Sequence, residues 1–167
     1  MSKFVVLFVL LVTTLFPKDA TESFPFLGFT LSSEKVDVES SVNIPNPKET
    51  SFGLRYGKQT IDWRTMFTIS GNNNFQTFSI EIDKILMDDM FGYPEVRPYL
   101  GASLGYLHYT DFLTEDNNGF YYGGNFGFLF YITDNIDADI SYHYNNIEEL
   151  PPLRNMQGTT FGLHYFY

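Results

Sequence analysis

The chain has no cysteine, which excludes disulfides, thiolate metal sites and a lipid-anchoring cysteine. Basic residues are scarce: 10 Lys and Arg stand against 20 Asp and Glu, a formal net charge of -10. That balance excludes nucleic acid as a partner, because phosphate neutralisation needs clustered Lys and Arg. After Ser23 no apolar run reaches the roughly 18 residues that a membrane-spanning helix requires. Any membrane insertion of that part must therefore use strands. Solenoid repeats, heptads and low-complexity tracts are missing too, so one domain is predicted after the first residues.

Aromatic residues are abundant, with 18 Phe and 12 Tyr. Mean hydropathy is nevertheless slightly negative, so the apolar bulk is interspersed with polar residues. Such mixing suits a sheet with one apolar and one polar face. The exception is the N-terminus, where Lys3 precedes the apolar run Phe4 to Phe16 (FVVLFVLLVTTLF). This pattern predicts an export signal over residues 1–20, cleaved after Ala20, and a mature domain over residues 21–167. Lys18 sits where such sites prefer a small residue; a buried strand or a retained anchor helix is the plainer alternative for the run.

Period-two alternation then recurs along the chain. Phe52, Leu54 and Tyr56 alternate with Ser51, Gly53 and Arg55; Ile61, Trp63, Thr65, Phe67 and Ile69 alternate with Asp62, Arg64, Met66 and Thr68. Phe78, Ile80 and Ile82, then Leu100, Ala102, Leu104 and Tyr106, continue the pattern, as do the runs Tyr122 to Ile132, Ile136 to Tyr144 and Phe161 to Tyr167. With a first strand around Phe26 to Ser32, about eight strands are predicted. Tight connections at Gly57 to Gln59 and Thr133 to Asn135, with a longer one at Leu86 to Glu95, fall on one rim. The opposite rim receives Ser33 to Glu49, Asn72 to Asn74, Thr110 to Asn118 and Asn145 to Gln157, mostly longer and polar. Short turns on one side and long polar loops on the other are the pattern of an eight-stranded, antiparallel, up-and-down transmembrane β-barrel. A soluble lipocalin-like barrel that binds apolar ligands shows the same alternation with its faces inverted.

The last eight residues, Thr160-Phe161-Gly162-Leu163-His164-Tyr165-Phe166-Tyr167, carry further information. A polar residue, a Gly two later and alternating apolar residues to an aromatic end resemble the terminal signal of small outer-membrane barrels of the OmpA/OmpX type. In that pattern Thr160, Gly162, Tyr165 and Tyr167 are the assembly signal. Pro98 to Tyr106, Tyr122 to Gly127 and Ile132 to Ile136 also resemble consecutive hairpins of the outer-membrane β-barrel domain family. The resemblance implies export to the outer membrane of a Gram-negative cell. It also implies contact with outer-membrane lipid and lipopolysaccharide and insertion by the barrel-assembly machinery; the oligomeric state is left open, a monomer being the expectation.

On the inward register lie Arg55, Asp62, Arg64, Glu81, Asp83, Asp137, Asp139 and His143. Eight strands leave an interior that side chains fill, so these residues are predicted to form a paired polar plug. Enzymatic readings are weaker. Ser141 and His143, with Glu81 or Asp139, give a minimal hydrolytic set. The set is similar to that of the outer-membrane lipid A deacylases, but those place His before Ser and face both toward lipid. His108, His143 and His164 match no metal spacing, and strand-adjacent acids for a glycosidase pair are explained by the plug. The sequence therefore predicts a barrel without enzymatic activity or cofactor, with a structural, adhesive or small-solute passage role. A lipid A deacylase-like enzyme and a secreted lipocalin-like binder are the alternatives. Ser33 to Glu49 and Asn145 to Gln157, stiffened by Pro45, Pro47, Pro151 and Pro152, are the predicted contact surfaces.

Overall fold

The computed structural model describes residues 22–39, 47–86, 92, 95–110 and 118–167. The export signal predicted for residues 1–20 lies outside these. Eight strands run β1 (Phe24–Val38), β2 (Lys48–Gln59), β3 (Trp63–Gly71), β4 (Phe75–Ile85), β5 (Val96–Tyr109), β6 (Asn118–Thr133), β7 (Ile136–Glu148) and β8 (Leu153–Phe166). Each pairs antiparallel with its sequence neighbours, and β8 pairs with β1 to close the barrel. Closure removes the exposed edges that an open sheet of this length would present.

The side chains settle which face is which. Phe29, Phe52 and Ile69 point outward and are 71%, 72% and 64% exposed, while Thr30, Ser51, Thr68 and Arg64 on the same strands are buried inside. The apolar face is the exterior, opposite to a lipocalin-like barrel. Packing explains the inward glycines: a Cβ at Gly105 would meet the Tyr121 ring, and one at Gly101 would meet Asp83 and Asn125.

Turn chemistry sets the hairpin ends and corrects one expectation. Gly57 to Gln59 is not a turn, for β2 continues through Gln59. Gly57 is an inward position where a Cβ would meet the Phe26 ring, so the residue is small for packing. The chain reverses one residue later, where the Trp63 amide donates to the Thr60 hydroxyl at 3.1 Å. Ile61 and Asp62 consequently leave the alternation. At the opposite rim, Asn72 Oδ1 accepts from the amides of Asn74 and Phe75 at 2.7 and 3.0 Å, an Asx turn of the kind this residue favours.

Two predicted loops are also shorter than expected. β1 extends to Val38 and β2 begins at Lys48; β7 extends to Glu148 and β8 begins at Leu153. Beyond about Leu31 the polarity of β1 reverses: Ser33 and Lys35 now point outward, and Val36 is buried inside. Apolar residues of other strands join Val36, including Phe75, Leu107, Tyr109, Tyr121, Ile147, Leu153 and Met156, together with Leu150 of the β7–β8 connection. This apolar cap fills the outer end of the barrel. Its strands read as loops because their outward residues are Lys, Asp, Asn and Glu.

Candidate functional site in the barrel interior

Between the cap and the opposite mouth the lumen is polar and charged. Arg55 of β2 and Arg64 of β3 converge on one oxygen of Asp139 from β7, donating to Oδ2 at 2.9 and 3.1 Å. Arg64 also donates through Nε to Asp83 Oδ2 at 3.0 Å, and its guanidinium carbon lies 4.7 Å from the centre of the Tyr99 ring. Asn125 of β6 donates to Glu81 Oε1 at 2.7 Å and to Asp83 Oδ1 at 3.1 Å. On the far side of Asp139, His164 Nδ1 lies 2.7 Å from Asp137 Oδ1 and its Nε2 lies 3.7 Å from Asp139 Oδ2. Phe26 packs edge-on against His164 at 4.9 Å between ring centres.

Arg64, Asp83, Asp137 and Asp139 are wholly buried, so each charge must be met by opposite charge and hydrogen bonds. The network spans the barrel, its members coming from β2, β3, β4, β6, β7 and β8, and the two guanidinium groups meet Asp83 and Asp139 while Asp137 is met by His164. It ties strands that are distant in the ladder into one cross-section.

Toward the outer cap the lumen becomes a hydroxyl-lined cavity of about 50 Å³. At roughly 10–15 Å³ per molecule it has room for a few waters. Ser32 and Thr160 pair there at 2.8 Å. Thr160 Oγ1 lies 3.5 Å from His143 Nδ1, whose Nε2 is 3.7 Å from Glu34 Oε1. Glu34 Oε2, Thr68 Oγ1 and Asn125 Oδ1 have no protein partner, which suits lodged water.

Of the predicted plug residues, the structure brings Arg55, Arg64, Glu81, Asp83, Asp137, Asp139 and His143 into the lumen. Asp62 is the exception. Its side chain is 64% exposed beyond the end of β2 and pairs with Lys84 at 3.0 Å, because the turn begins before it. Sequence reasoning passed over His164, Tyr99 and Asn125, all on the inward register that alternation already marked. Within the predicted C-terminal signal, Thr160 is buried in the lumen, Gly162 lies beside Asp139 and Arg55, and Tyr165 and Tyr167 face outward.

The weak hydrolytic set weighed from the sequence is not placed toward lipid: Glu81, Ser141 and His143 line the same lumen cavity. Ser141 and His143 both face the closed lumen, where His143 meets Thr160 and Glu34. His108 is on the outward register, 2.8 Å from Asn118. The three histidines do not converge, and no metal-binding group occurs among the described residues.

No protein-family model and no curated protein matches the sequence. Solved structures do match in shape. Neisserial surface protein A aligns with a TM-score of 0.64 at 19% identity, covering 86% of this chain and 97% of that one. OprH of P. aeruginosa aligns at 0.62 and 20%, covering 86% and 99%. Ail of Yersinia pestis, solved with the heparin analogue sucrose octasulfate, aligns at 0.54 and 17%, covering 87% and 99%. The fold is that of the small eight-stranded outer-membrane barrels.

Proposed function

We propose that the chain is an exported outer-membrane barrel that acts as a closed structural or surface-contact element and not as a pore or an enzyme. One observation carries the reading: an apolar outward belt encircles a lumen filled by an ion-paired network and capped by packed apolar residues. Only a lipid surround makes that exterior favourable, since an apolar surface of this extent in water drives association. Closure of the ladder satisfies the backbone within the belt. The apolar N-terminal run supports export, and the terminal Thr160, Gly162, Tyr165 and Tyr167 support recognition by the barrel-assembly machinery. Outer-membrane lipid and lipopolysaccharide are then its surroundings. A surface-contact role agrees with the names of two structural neighbours, a surface protein and an attachment invasion locus protein.

Solute passage is disfavoured by Leu107, Leu150 and Tyr109 at the outer end and by Arg64 and Tyr99 at the inner end. Lipid chemistry is disfavoured because Ser141 and His143 face inward, away from any lipid. The test is planar-bilayer recording on refolded protein whose gel migration shifts on boiling. We expect no porin-sized current steps, and unchanged lipid A acylation in cells carrying His143→Ala. Steady large steps, or acylation that depends on His143, would overturn the reading, as would a mature chain that stays monomeric in water without detergent.

A further inference from the structure

The outward face of β1 to β3 changes chemistry in a fixed order along its length. At the outer end Lys35 and Lys48 are direct cross-strand partners, an arrangement that repels unless an anion lies between them. Lys35 reaches Asp37 at 2.9 Å, but that carboxylate also accepts from Gln157 at 3.0 Å. Lys48 makes no ion pair among the described residues, and the nearby Glu49 is held by Asn72 and Asn74 at 2.8 and 2.9 Å. One step below, Ser33 and Thr50 face each other on the same outward register. Below these opens a groove of about 480 Å³ lined by Phe29, Phe52, Leu54, Ile69 and Gly71, with Asn72 and Gln76 also lining it.

From Lys48 to Phe52 is four residues, about 13 Å at roughly 3.3 Å per residue, and lysine stems bend to place their charge at a boundary. Cation, hydroxyls and apolar groove thus follow one another as phosphate, sugar and acyl chain do in a phosphorylated glycolipid. We propose that this face seats one such lipid, its phosphate between Lys35 and Lys48 and an acyl chain in the groove beside Phe29 and Phe52. The proposal rests on the outer-membrane reading and adds a specific site to it.

The full chain, refolded in detergent micelles, would be examined by native mass spectrometry with diphosphorylated lipid A and with the same lipid dephosphorylated. At about 1 kcal/mol per lysine near a charged surface, the phosphorylated form should be retained about tenfold better or more. The double variant K35Q/K48Q should lose that preference, while K58Q/K84Q, at the opposite end of the barrel, should keep it. Millimolar inorganic phosphate should not displace the lipid, which separates a lipid site from a free-anion site. Equal retention of the two lipids by the unaltered protein overturns the proposal even if K35Q/K48Q fails to fold. Equal sensitivity to both lysine pairs, or displacement by phosphate, also overturns it. A chain that gives no heat-modifiable band in micelles would instead sink the membrane reading, and the site with it.

Discussion

The belt and the crown of this barrel are built from the same strands with opposite polarity. On β1, Leu27, Phe29 and Leu31 face out around the lumen that holds Thr30 and Ser32. A few residues further on, Lys35 faces out and Val36 is buried inside. No break in pairing marks the change, since β1 stays in register with β8 from Phe26 to Asp37. On the proposed membrane reading, what changes is the surrounding solvent. In the crown, water outside makes apolar burial the driving force. In the belt, the proposed lipid surround gives the apolar exterior little to gain, so cohesion falls to the backbone ladder and the ionic network.

The comparison predicts that the most damaging single change lies in the belt interior. Arg64→Met removes the cation shared by Asp83 and Asp139 and leaves buried carboxylates short of a partner, a cost of about 3–5 kcal/mol. Urea unfolding in lipid vesicles measures it. A loss below about 1 kcal/mol would show that water reaches the network and that the belt interior is not dry. In the crown the equivalent test is Leu107→Ala. Leu107 is buried in the apolar cap, so the substitution should cost about 2–5 kcal/mol through lost burial and a cavity. Leu104→Ala, outward on the same strand and half exposed, should cost much less, because lipid contact replaces what the side chain loses. Equal costs at 107 and 104 would erase the distinction between the two regions.

This difference also explains how much was legible beforehand. Alternation located the belt of β2 to β8, since Phe, Leu and Ile against Ser, Thr and Arg is a strong period-two contrast, and β1 was added beside them. The crown was mistaken for loops. At Asn145 to Gln157 the outward residues become polar while Ile147, Leu150, Leu153 and Met156 turn inward, and the cis Pro151-Pro152 bond sits between the strands. A reading that expects one polarity per strand sees only a Pro- and Asn-rich stretch there. Arg55, Arg64, Glu81, Asp83, Asp137 and Asp139 were legible as inward residues of the charged network, but their pairing was not, nor was the part of His164, Tyr99 and Asn125. Nothing in the sequence says that Arg55 and Arg64 share one oxygen of Asp139, because that depends on strand tilt and register across the barrel.

A smaller effect is expected where the crown is held by side chains at its rim. Glu49 accepts from Asn72 and Asn74, tying the β3–β4 hairpin to β2. Glu49→Ala should cost about 1–2 kcal/mol, in the range of hydrogen bonds to a partly exposed charge. Amide exchange should quicken at Asn74 and Phe75 more than in the belt; uniform quickening would mean that crown and belt open as one unit.

The smallest effect belongs to Asp62, and it bears directly on where the belt interior ends. If its inward register had continued, Asp62 would sit in the lumen as one more buried carboxylate, and its neutralisation would alter stability by several kcal/mol. The structure instead puts it beyond β2, paired with Lys84 where both side chains are more than a third exposed. Lys84 also lies over the Trp63 ring, 5.1 Å from its centre, and keeps that contact when the carboxylate is lost. Asp62→Asn should therefore change stability by about 0–1 kcal/mol, and less still in high salt, as exposed ion pairs do. The β2–β3 hairpin itself should persist, because it is closed by the Thr60 amide on the Trp63 carbonyl and the Trp63 amide on the Thr60 hydroxyl, neither of which uses the Asp62 side chain. A loss near that of Arg64→Met, insensitive to salt, would return Asp62 to the lumen and move the end of β2 back to Gly57.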